Sequence, residues 1–182
     1  MALWVVGPLV GHPKEDKPKN PLPSRVAIRL ALDAGTEDIE PLPSAATCRD
    51  LMQITRPGDL ANDNTSARYQ EMRIPPFETR VWRVEATITQ VVVRDDNDFY
   101  LILDDGTGMV VAELPPPEMV EGSVFGKRMR EARGAIEAKL HPTKAPRNPK
   151  QRAVVTALGF FGKAKPGANG ARLQPVISVE WK

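Results

Sequence analysis

Apolar and polar residues alternate in the stretch VWRVEATIT, residues 81–89. Its inward-facing candidates are Trp82, Val84, Ala86 and Ile88. Alternation with period two is typical of a strand with one buried face, so the stretch predicts the first strand of a sheet. Three valines at residues 91–93 interrupt the alternation, and such an interruption predicts a bulge or bend.

A hairpin is predicted just downstream of this strand. FYLILD (99–104) and MVVAEL (109–114) are apolar runs that flank the turn DGTG. Asp-Gly between apolar runs is a strong local hairpin signal. The prolines at residues 115–117 end the second run because they donate no hydrogen bond to a neighbouring strand. The acidic turn before the hairpin, residues 95–98, is expected to be exposed.

One amphipathic helix and two further strands are predicted in the C-terminal third. Residues 126–140 place apolar side chains at helical spacing. These are Met129, Ala132, Ile136 and Leu140. Residues 153–161 and 173–181 are apolar runs separated by a Gly-rich turn, which predicts a fourth and a fifth strand.

The predicted order is therefore three strands, a helix and two strands. This order is typical of a mainly β, five-stranded OB-type Greek-key barrel with one helix between the third and fourth strands. We place the barrel at residues 78–182 and expect the apolar stripe of the helix to cover one end of it.

The first 77 residues carry weaker patterns. Residues 1–23 are rich in Pro and Lys and predict a flexible arm. Residues 24–77 are predicted to form an N-terminal extension with short elements. Within it, residues 24–34 fit either a strand or a short helix, and residues 44–54 predict a helix with Ser44 as its N-cap.

The ten N-terminal residues, MALWVVGPLV, are mainly apolar. The run is too short to span a bilayer, and it lacks the basic flank and the cleavage site of a signal peptide. The expectation is a cytoplasmic protein with no membrane span, and an altered export signal stays open.

Charge is distributed unevenly, although the net charge is only +2. Residues 77–126 carry three Lys/Arg and ten Asp/Glu, whereas residues 127–152 carry nine Lys/Arg and two Glu. Separate acidic and basic regions favour a polar partner or a contact between copies of the chain.

Side chains that usually carry chemistry are sparse. Cys48 is the single cysteine, so it forms no internal disulfide and is expected to be buried as a small apolar residue. The two histidines, His12 and His141, lie in Pro/Lys-rich stretches, and the sequence has no zinc-ligand set. No cofactor or metal is predicted.

Residues 80–178 resemble a family of uncharacterised bacterial proteins. The shared pattern is D-x-D-[FY]-x-L-x-L-x-D, then G-F-F and N-G-x-x-L-x-P-V, and it is found here in DNDFYLILDD, GFFG and NGARLQPV. More loosely, the chain resembles OB-fold proteins of the bacterial periplasm. The resemblance implies a barrel fold and no established activity. Family members tend to have His at three positions that are here Tyr100, the GKAK turn and Gln174.

Two further types of site are less favoured by the sequence. The carboxylates of residues 95–98 are ligands that calcium accepts, but the spacing of a calcium loop is missing and a solvated turn is favoured. A nuclease built on the same barrel would need several carboxylates and arginines to converge, and no motif brings them together. Its candidate residues would be Asp104, Asp105, Glu113, Arg128 and Arg130.

Single-stranded nucleic acid is the second-ranked ligand. OB folds bind single strands across their second and third strands, between two loops. Here the loop between the fourth and fifth strands is basic, whereas the loop between the first and second is acidic and would oppose the ligand. The candidate residues are Tyr100, Lys144, Arg147, Lys150, Arg152, Lys163, Lys165 and Arg172. Trp82 and Phe99 are further stacking candidates, but the period-two position of Trp82 favours burial.

The leading hypothesis is a non-catalytic module for protein interaction or assembly. The short elements before the barrel have little core of their own, so they would pack on the barrel or on a partner. The opposed acidic and basic regions would favour head-to-tail contacts between copies. Neither hypothesis requires a catalytic site, and the protein is not predicted to be an enzyme.

Overall fold

The computed structural model describes residues 24–166 and 168–182. The helices are α1 (Ser24–Arg29), α2 (Cys48–Gln53) and α3 (Gly126–Leu140). The strands are β1 (Glu40–Ala45), β2 (Arg80–Val93), β3 (Phe99–Asp104), β4 (Met109–Leu114), β5 (Gln151–Phe161) and β6 (Ala171–Trp181). The predictions for residues 1–23 lie outside the described residues.

Strands β2 to β6 form a closed five-stranded barrel. The sheet order is β1-β2-β3-β4-β6-β5, and β5 pairs back onto β2 to close it. Within the barrel, β4 and β6 run parallel, while the other neighbours are antiparallel. Helix α3 connects β4 to β5. The predicted OB-type barrel, with its helix between the third and fourth barrel strands, is therefore confirmed.

Strand β2 has the predicted alternation, but its irregularity lies earlier than expected. The pairing with β3 shifts between Ile88 and Gln90, so the extra residue is Thr89 and the predicted position at residues 91–93 is wrong. The inserted residue changes the phase of the alternation, which lets Val91 be buried again after Ile88. The run of valines obscured this change of phase in the sequence.

The barrel core contains side chains from all five strands and from α3. Ala132, Ile136 and Leu140 belong to the main buried cluster. The strand residues of that cluster include Val84, Leu101, Ala112, Val155 and Val176. The fourth residue of the predicted stripe, Met129, belongs instead to a second cluster with Leu30 and Val81. The helix therefore packs its predicted stripe, and the second cluster joins it to the segment around α1.

The structure decides one open alternative in the N-terminal extension and departs from the prediction elsewhere. Residues 24–29 form the short helix, which was one of the two alternatives for that segment. Helix α2 is capped by Thr47 and not by the predicted Ser44, through a capping box with Asp50. Strand β1 was not predicted at all, because Pro41 and Pro43 remove the donors that a strand normally uses. It pairs only with β2 among the described strands, at the edge of the sheet where proline is tolerated.

One buried ion pair joins two parts of this extension, and a second joins the extension to the barrel. Arg25 donates to both carboxylate oxygens of Glu78, at 2.6 and 3.0 Å, and Glu78 also accepts the backbone N–H of Phe161 at the end of β5. Arg73 pairs with Asp33 at 2.6 Å. Residues of the extension such as Leu51 share the main cluster of the barrel, so the described part of the extension packs against it.

The DGTG turn that joins β3 to β4 caps helix α2. Asp105 accepts the backbone N–H of Cys48 at 2.8 Å, and Thr107 accepts that of Arg49 at 3.1 Å. These bonds satisfy N–H groups that have no partner inside the helix. Cys48 is buried as predicted, and burial together with the negative charge of Asp105 raises the pKa of its thiol to about 12.

In the described ranges, none of the helices has the length and apolar character needed to cross a bilayer.

Candidate functional site

A cleft of about 540 Å³ lies between two loops of the barrel. One side is the turn between β2 and β3, and the other is the start of the loop between β5 and β6. We call it the interloop cleft. Its cationic lining residues are Arg25, Arg29, Arg94, Lys163 and Arg172, and its carboxylates are Asp63, Asp96 and Glu113. The lining is therefore rich in cations that come from distant parts of the chain.

The floor of the cleft is built from the ends of β4, β5 and β6. Glu113 on β4 forms an ion pair with Arg172 on β6. Arg172 pairs in register with Phe160 on β5. On the other side, Glu113 lies opposite Tyr100 of β3, whose ring centroid is 5.1 Å from the guanidinium carbon of Arg94. A half-buried aromatic ring with a cation over it therefore lies next to the cleft.

Helix α1 forms one wall of the cleft and contacts both flanking segments. Arg29 lies 3.3 Å from Asp98 in the β2–β3 turn. Arg25, one helical turn earlier, donates to the carbonyl of Phe161 at 3.1 Å where the β5–β6 loop begins. Its guanidinium carbon also lies 4.6 Å from the ring centroid of Phe160. Because residues four apart share a face of a helix, both arginines point to the same cleft.

Buried polar atoms without a partner are concentrated at this cleft. In residues 24–166 and 168–182 there are four such side-chain atoms: Arg25 Nε, Arg29 Nε, Asp98 Oδ1 and Gln174 Nε2. Three of them belong to residues that line the cleft, and the fourth belongs to the ion-pair partner of Arg29. A buried donor without an acceptor costs about 1–3 kcal/mol, so a cluster of them requires an explanation.

Asp98 departs from the expectation that the whole acidic turn is exposed. Asp95 and Asp96 are exposed, but Asp98 has only 1% of its surface exposed. Burial raises the pKa of its carboxyl from 3.8 to about 6, against the opposing charge of Arg29. Arg29 also lies 4.0 Å from Asp96. Arg29, which belongs to α1 and not to the barrel, thus partly neutralises the negative charge of the turn.

Arg133 on α3 helps to fix the position of the β2–β3 turn. It donates to the carbonyls of Asn97 and Leu114, both at 2.8 Å, and its guanidinium carbon lies 3.5 Å from the ring centroid of Phe99. Burial lowers the pKa of Arg133. The helix that covers the barrel therefore also positions the turn that borders the cleft.

The predicted nucleic-acid residues divide between two places. Lys163 and Arg172 line the interloop cleft, Tyr100 lies beside it, and Lys165 is exposed in the same loop. Trp82 and Phe99, the other stacking candidates, are buried.

The remaining predicted residues lie at the start of β5 and before it. Lys150 and Arg152 line a more open groove with Glu85, Asp104 and Asp105. Arg152 pairs with Glu85 at 2.7 Å. We call this surface the β2–β5 groove. Two more of the predicted residues belong to the segment that leads into it: Lys144 is exposed, and Arg147 pairs with Val91 as an isolated bridge.

Three cations of the cleft were not predicted from the sequence: Arg25, Arg29 and Arg94. The spacing of Arg25 and Arg29 held a usable signal, because a helix at residues 24–29 puts both on one face. Arg94 directly precedes the acidic turn, where its charge was outweighed by three aspartates. Gln174 was named only as a position at which the resembled family tends to have His, and nothing in the local sequence predicted its burial at the cleft.

The three positions at which the resembled family tends to have His are brought together. Lys163, in the GKAK turn, and Gln174 both line the cleft. Tyr100 pairs in register with Glu113, another lining residue.

The nuclease candidates are kept apart. Asp104 lies at the turn end of the β3–β4 hairpin and Glu113 at its other end. Arg128 and Arg130 are exposed on α3, and Asp105 is used to cap α2. Across the described residues, no three His, Cys, Asp or Glu side chains lie close enough together to hold a metal ion.

Comparison with known proteins adds little to this geometry. No family model and no curated protein matches the chain. Among solved structures, the chain is similar to asparaginyl-tRNA synthetase from Pyrococcus horikoshii complexed with asparaginyl-adenylate, at 18% identity and a TM-score of 0.34. The match covers 62% of this chain and 21% of that one. Such a low score supports no functional argument, and membership of the resembled bacterial family stays a hypothesis.

Proposed function

We propose that this protein is a non-catalytic binding module whose ligand is single-stranded nucleic acid, held at the interloop cleft. One observation carries the proposal: five cationic side chains line a cleft between the β2–β3 turn and the β5–β6 loop of an OB-type barrel. These two loops flank the surface on which OB folds bind single strands.

Two cations of the cleft are suited to phosphate contacts. Among the ion pairs of the described residues, neither Arg94 nor Lys163 has a carboxylate partner. Lys163 is exposed, and Arg94 lies over the ring of Tyr100. A basic groove beside an aromatic ring matches how such proteins hold a backbone and stack a base.

The acidic turn opposes this ligand less than its sequence suggested. Asp98 is buried against Arg29, and Asp96 lies at the edge of the same arginine. Of the three aspartates in the turn, only Asp95 forms no ion pair among the described residues. The field at the mouth of the cleft is therefore less negative than a count of residues 95–98 indicates.

The test is a fluorescence-anisotropy titration with single-stranded DNA and RNA at about 50 and 200 mM salt. The wild type is expected to bind, more weakly at the higher salt, because phosphate contacts release counterions. The double variant Lys163→Glu with Lys165→Glu is expected to abolish binding.

A charge-matched control is Lys127→Glu with Lys139→Glu, since both lysines are exposed on α3. This control should bind like the wild type, which separates a local effect from a change in net charge. Absence of wild-type binding at the lower salt would remove the proposal.

A role in protein interaction or assembly is the second candidate, and one surface feature favours it. Met52 and Met109 are 51% and 60% exposed, and the sulfur of Met52 lies against Gly108, the residue before Met109. Flexible methionine side chains are common on surfaces that bind varied partners. Leu42 on the edge strand β1 is also exposed, at 74%.

Light scattering over a range of concentrations tests this second candidate. Assembly predicts a mass that rises with concentration in the wild type and rises less in Met52→Gln with Met109→Gln. A strictly monomeric mass together with no captured partner in a pull-down would count against it.

A further inference from the structure

We propose that the interloop cleft binds a phosphate monoester, namely the terminal phosphate of a single strand, and not an internal stretch of its backbone. This inference rests on the proposed function and names the part of the ligand that the cleft holds. It follows from the wall that α1 builds across the cleft and from the unpaired donors of residues that line the cleft.

The wall closes one side of the binding surface. Arg29 contacts the β2–β3 turn through Asp98, and Arg25 contacts the carbonyl of Phe161 where the β5–β6 loop begins. Helix α1 is anchored beneath by the buried pair of Arg25 with Glu78. A strand that lay across the barrel between the two loops would meet this helix. A strand that ends in the cleft would not.

The unpaired donors at the cleft suit the terminal phosphate of a nucleic-acid strand better than an internal phosphate. Arg25 Nε, Arg29 Nε and Gln174 Nε2 are buried N–H groups that have no acceptor among the described residues, and all three residues line the cleft. A phosphate monoester carries three acceptor oxygens and a charge between −1.5 and −2 near neutral pH. An internal phosphodiester has only two unshared oxygens and a single charge, so it satisfies this set of donors less well.

The remaining cations complete the arrangement. Arg94 and Lys163 lie at the β2–β3 turn and the β5–β6 loop, on the two sides of the cleft. Hydrogen bonds from charged donors to phosphate are about twice as strong as neutral ones. Gln174 on β6 is 1% exposed. Its side-chain amide is a neutral donor, so it orients the phosphate without adding positive charge to the site. Together, these charged and neutral donors suit a compact oxyanion that carries more than one negative charge.

The experiment compares three oligonucleotides of one sequence that carry a 5′-phosphate, a 3′-phosphate or no terminal phosphate, each with an internal fluorophore. At one of the two ends, the phosphate is expected to tighten binding about tenfold, the size of one hydrogen bond to a charged group. Inorganic phosphate in excess should remove this advantage and leave the weaker binding of the unphosphorylated strand.

Gln174→Leu tests the site without changing its charge. The substitution removes a buried donor that has no partner in the described protein, so the fold is expected to be retained. The advantage of the terminal phosphate should shrink in this variant. Gln90→Leu, a matched change in a half-buried residue outside the cleft, should keep the full advantage.

The outcomes separate this inference from the proposed function. Equal binding of all three oligonucleotides, still lost in Lys163→Glu with Lys165→Glu, would overturn the terminal-phosphate site and leave nucleic-acid binding standing. If the terminal phosphate tightened binding to Gln174→Leu as much as to the wild type, the proposed phosphate site would also be overturned. Binding of inorganic phosphate with no gain for either phosphorylated strand would overturn the strand-end ligand. No binding of any oligonucleotide would overturn both proposals.

Discussion

The interloop cleft and the β2–β5 groove have similar volumes, each about 540 Å³, and both contain basic side chains. They differ in how their polar groups are used. In the groove, Arg152 pairs with Glu85 on an exposed surface, and Asp105 caps a helix. In the cleft, buried donors on α1 and β6 have no acceptor among the described residues. A basic stretch of sequence is therefore a weaker sign of a binding site than buried donors that remain without a partner.

The largest expected difference between the two regions is in stability. Arg25→Met would leave the buried carboxylate of Glu78 without its counter-ion, so we expect a loss of about 3–5 kcal/mol in the free energy of unfolding. Urea denaturation measures this loss. Arg152→Met is the control, because it leaves Glu85 exposed to water and should change stability by less than about 0.5 kcal/mol. Similar losses in the two variants would contradict the contrast between the regions.

The next difference is in nucleic-acid affinity. Lys163→Glu with Lys165→Glu should abolish detectable binding, a weakening of about 100-fold or more, because it places negative charge at the cleft. Lys150→Glu with Arg152→Glu makes the same charge change in the groove and should weaken binding only a few-fold at low salt, through a field that salt screens. Anisotropy titrations of both variants would decide this. An equal loss would mean that the ligand runs over both surfaces.

A smaller effect is expected at Asp98, and it depends on pH. The pKa of its carboxyl is about 6 in the folded protein and 3.8 in its ordinary state, so the folded protein binds the proton more tightly. Stability contributed by this group is therefore present at low pH and falls as pH rises from about 4 to about 6. Asp98→Asn stays neutral, so it should gain stability relative to wild type across that window, reaching on the order of 2 kcal/mol above pH 7.

Thermal or urea denaturation at several pH values measures this gain. Asp95→Asn is the control, because Asp95 is exposed in the same turn and forms no ion pair among the described residues. It should show no comparable rise between acid and neutral pH. A gain for Asp98→Asn that is independent of pH would show that the ionisation of this group is not its cause.

The smallest expected effect concerns the hairpin turn beside the groove. Asp105→Ala removes the acceptor for the N–H of Cys48 at the start of α2 and should cost about 1 kcal/mol, as loss of a helix cap does. Nucleic-acid affinity should not change, because the residue lies outside the interloop cleft. Weakened binding in a stably folded Asp105→Ala protein would show that the groove takes part in recognition.

Most of the barrel was predictable, because its elements carry local periodic signals. The hairpin at residues 99–114 and helix α3 have the predicted bounds, since turn chemistry and helical spacing act over a few residues. Strand β1 and the site of the β2 bulge were not predictable in this way. The prolines of β1 hide an edge strand that exists only because β2 supplies its partner, and three consecutive valines fit either face of β2.

The candidate site was predicted only in part, because its residues come from segments that are far apart in the sequence. Lys163 and Arg172 were found because they lie in or beside a loop that OB folds use. Arg25 and Arg29 were missed because the segment that contains them fits a strand or a helix equally well before the second apolar cluster around Leu30 is known. Asp98 was expected to be exposed because no local signal shows that Arg29 covers it.

The sequence by itself determined which segments are strands of the barrel, where α3 lies and where basic side chains are concentrated, because these properties follow from the pattern of neighbouring residues. Only the tertiary structure decided which charges are neutralised and which donors remain unpaired. Both depend on burial and on partners supplied by remote segments, as when α1 places Arg25 and Arg29 against the turn and loop of the barrel.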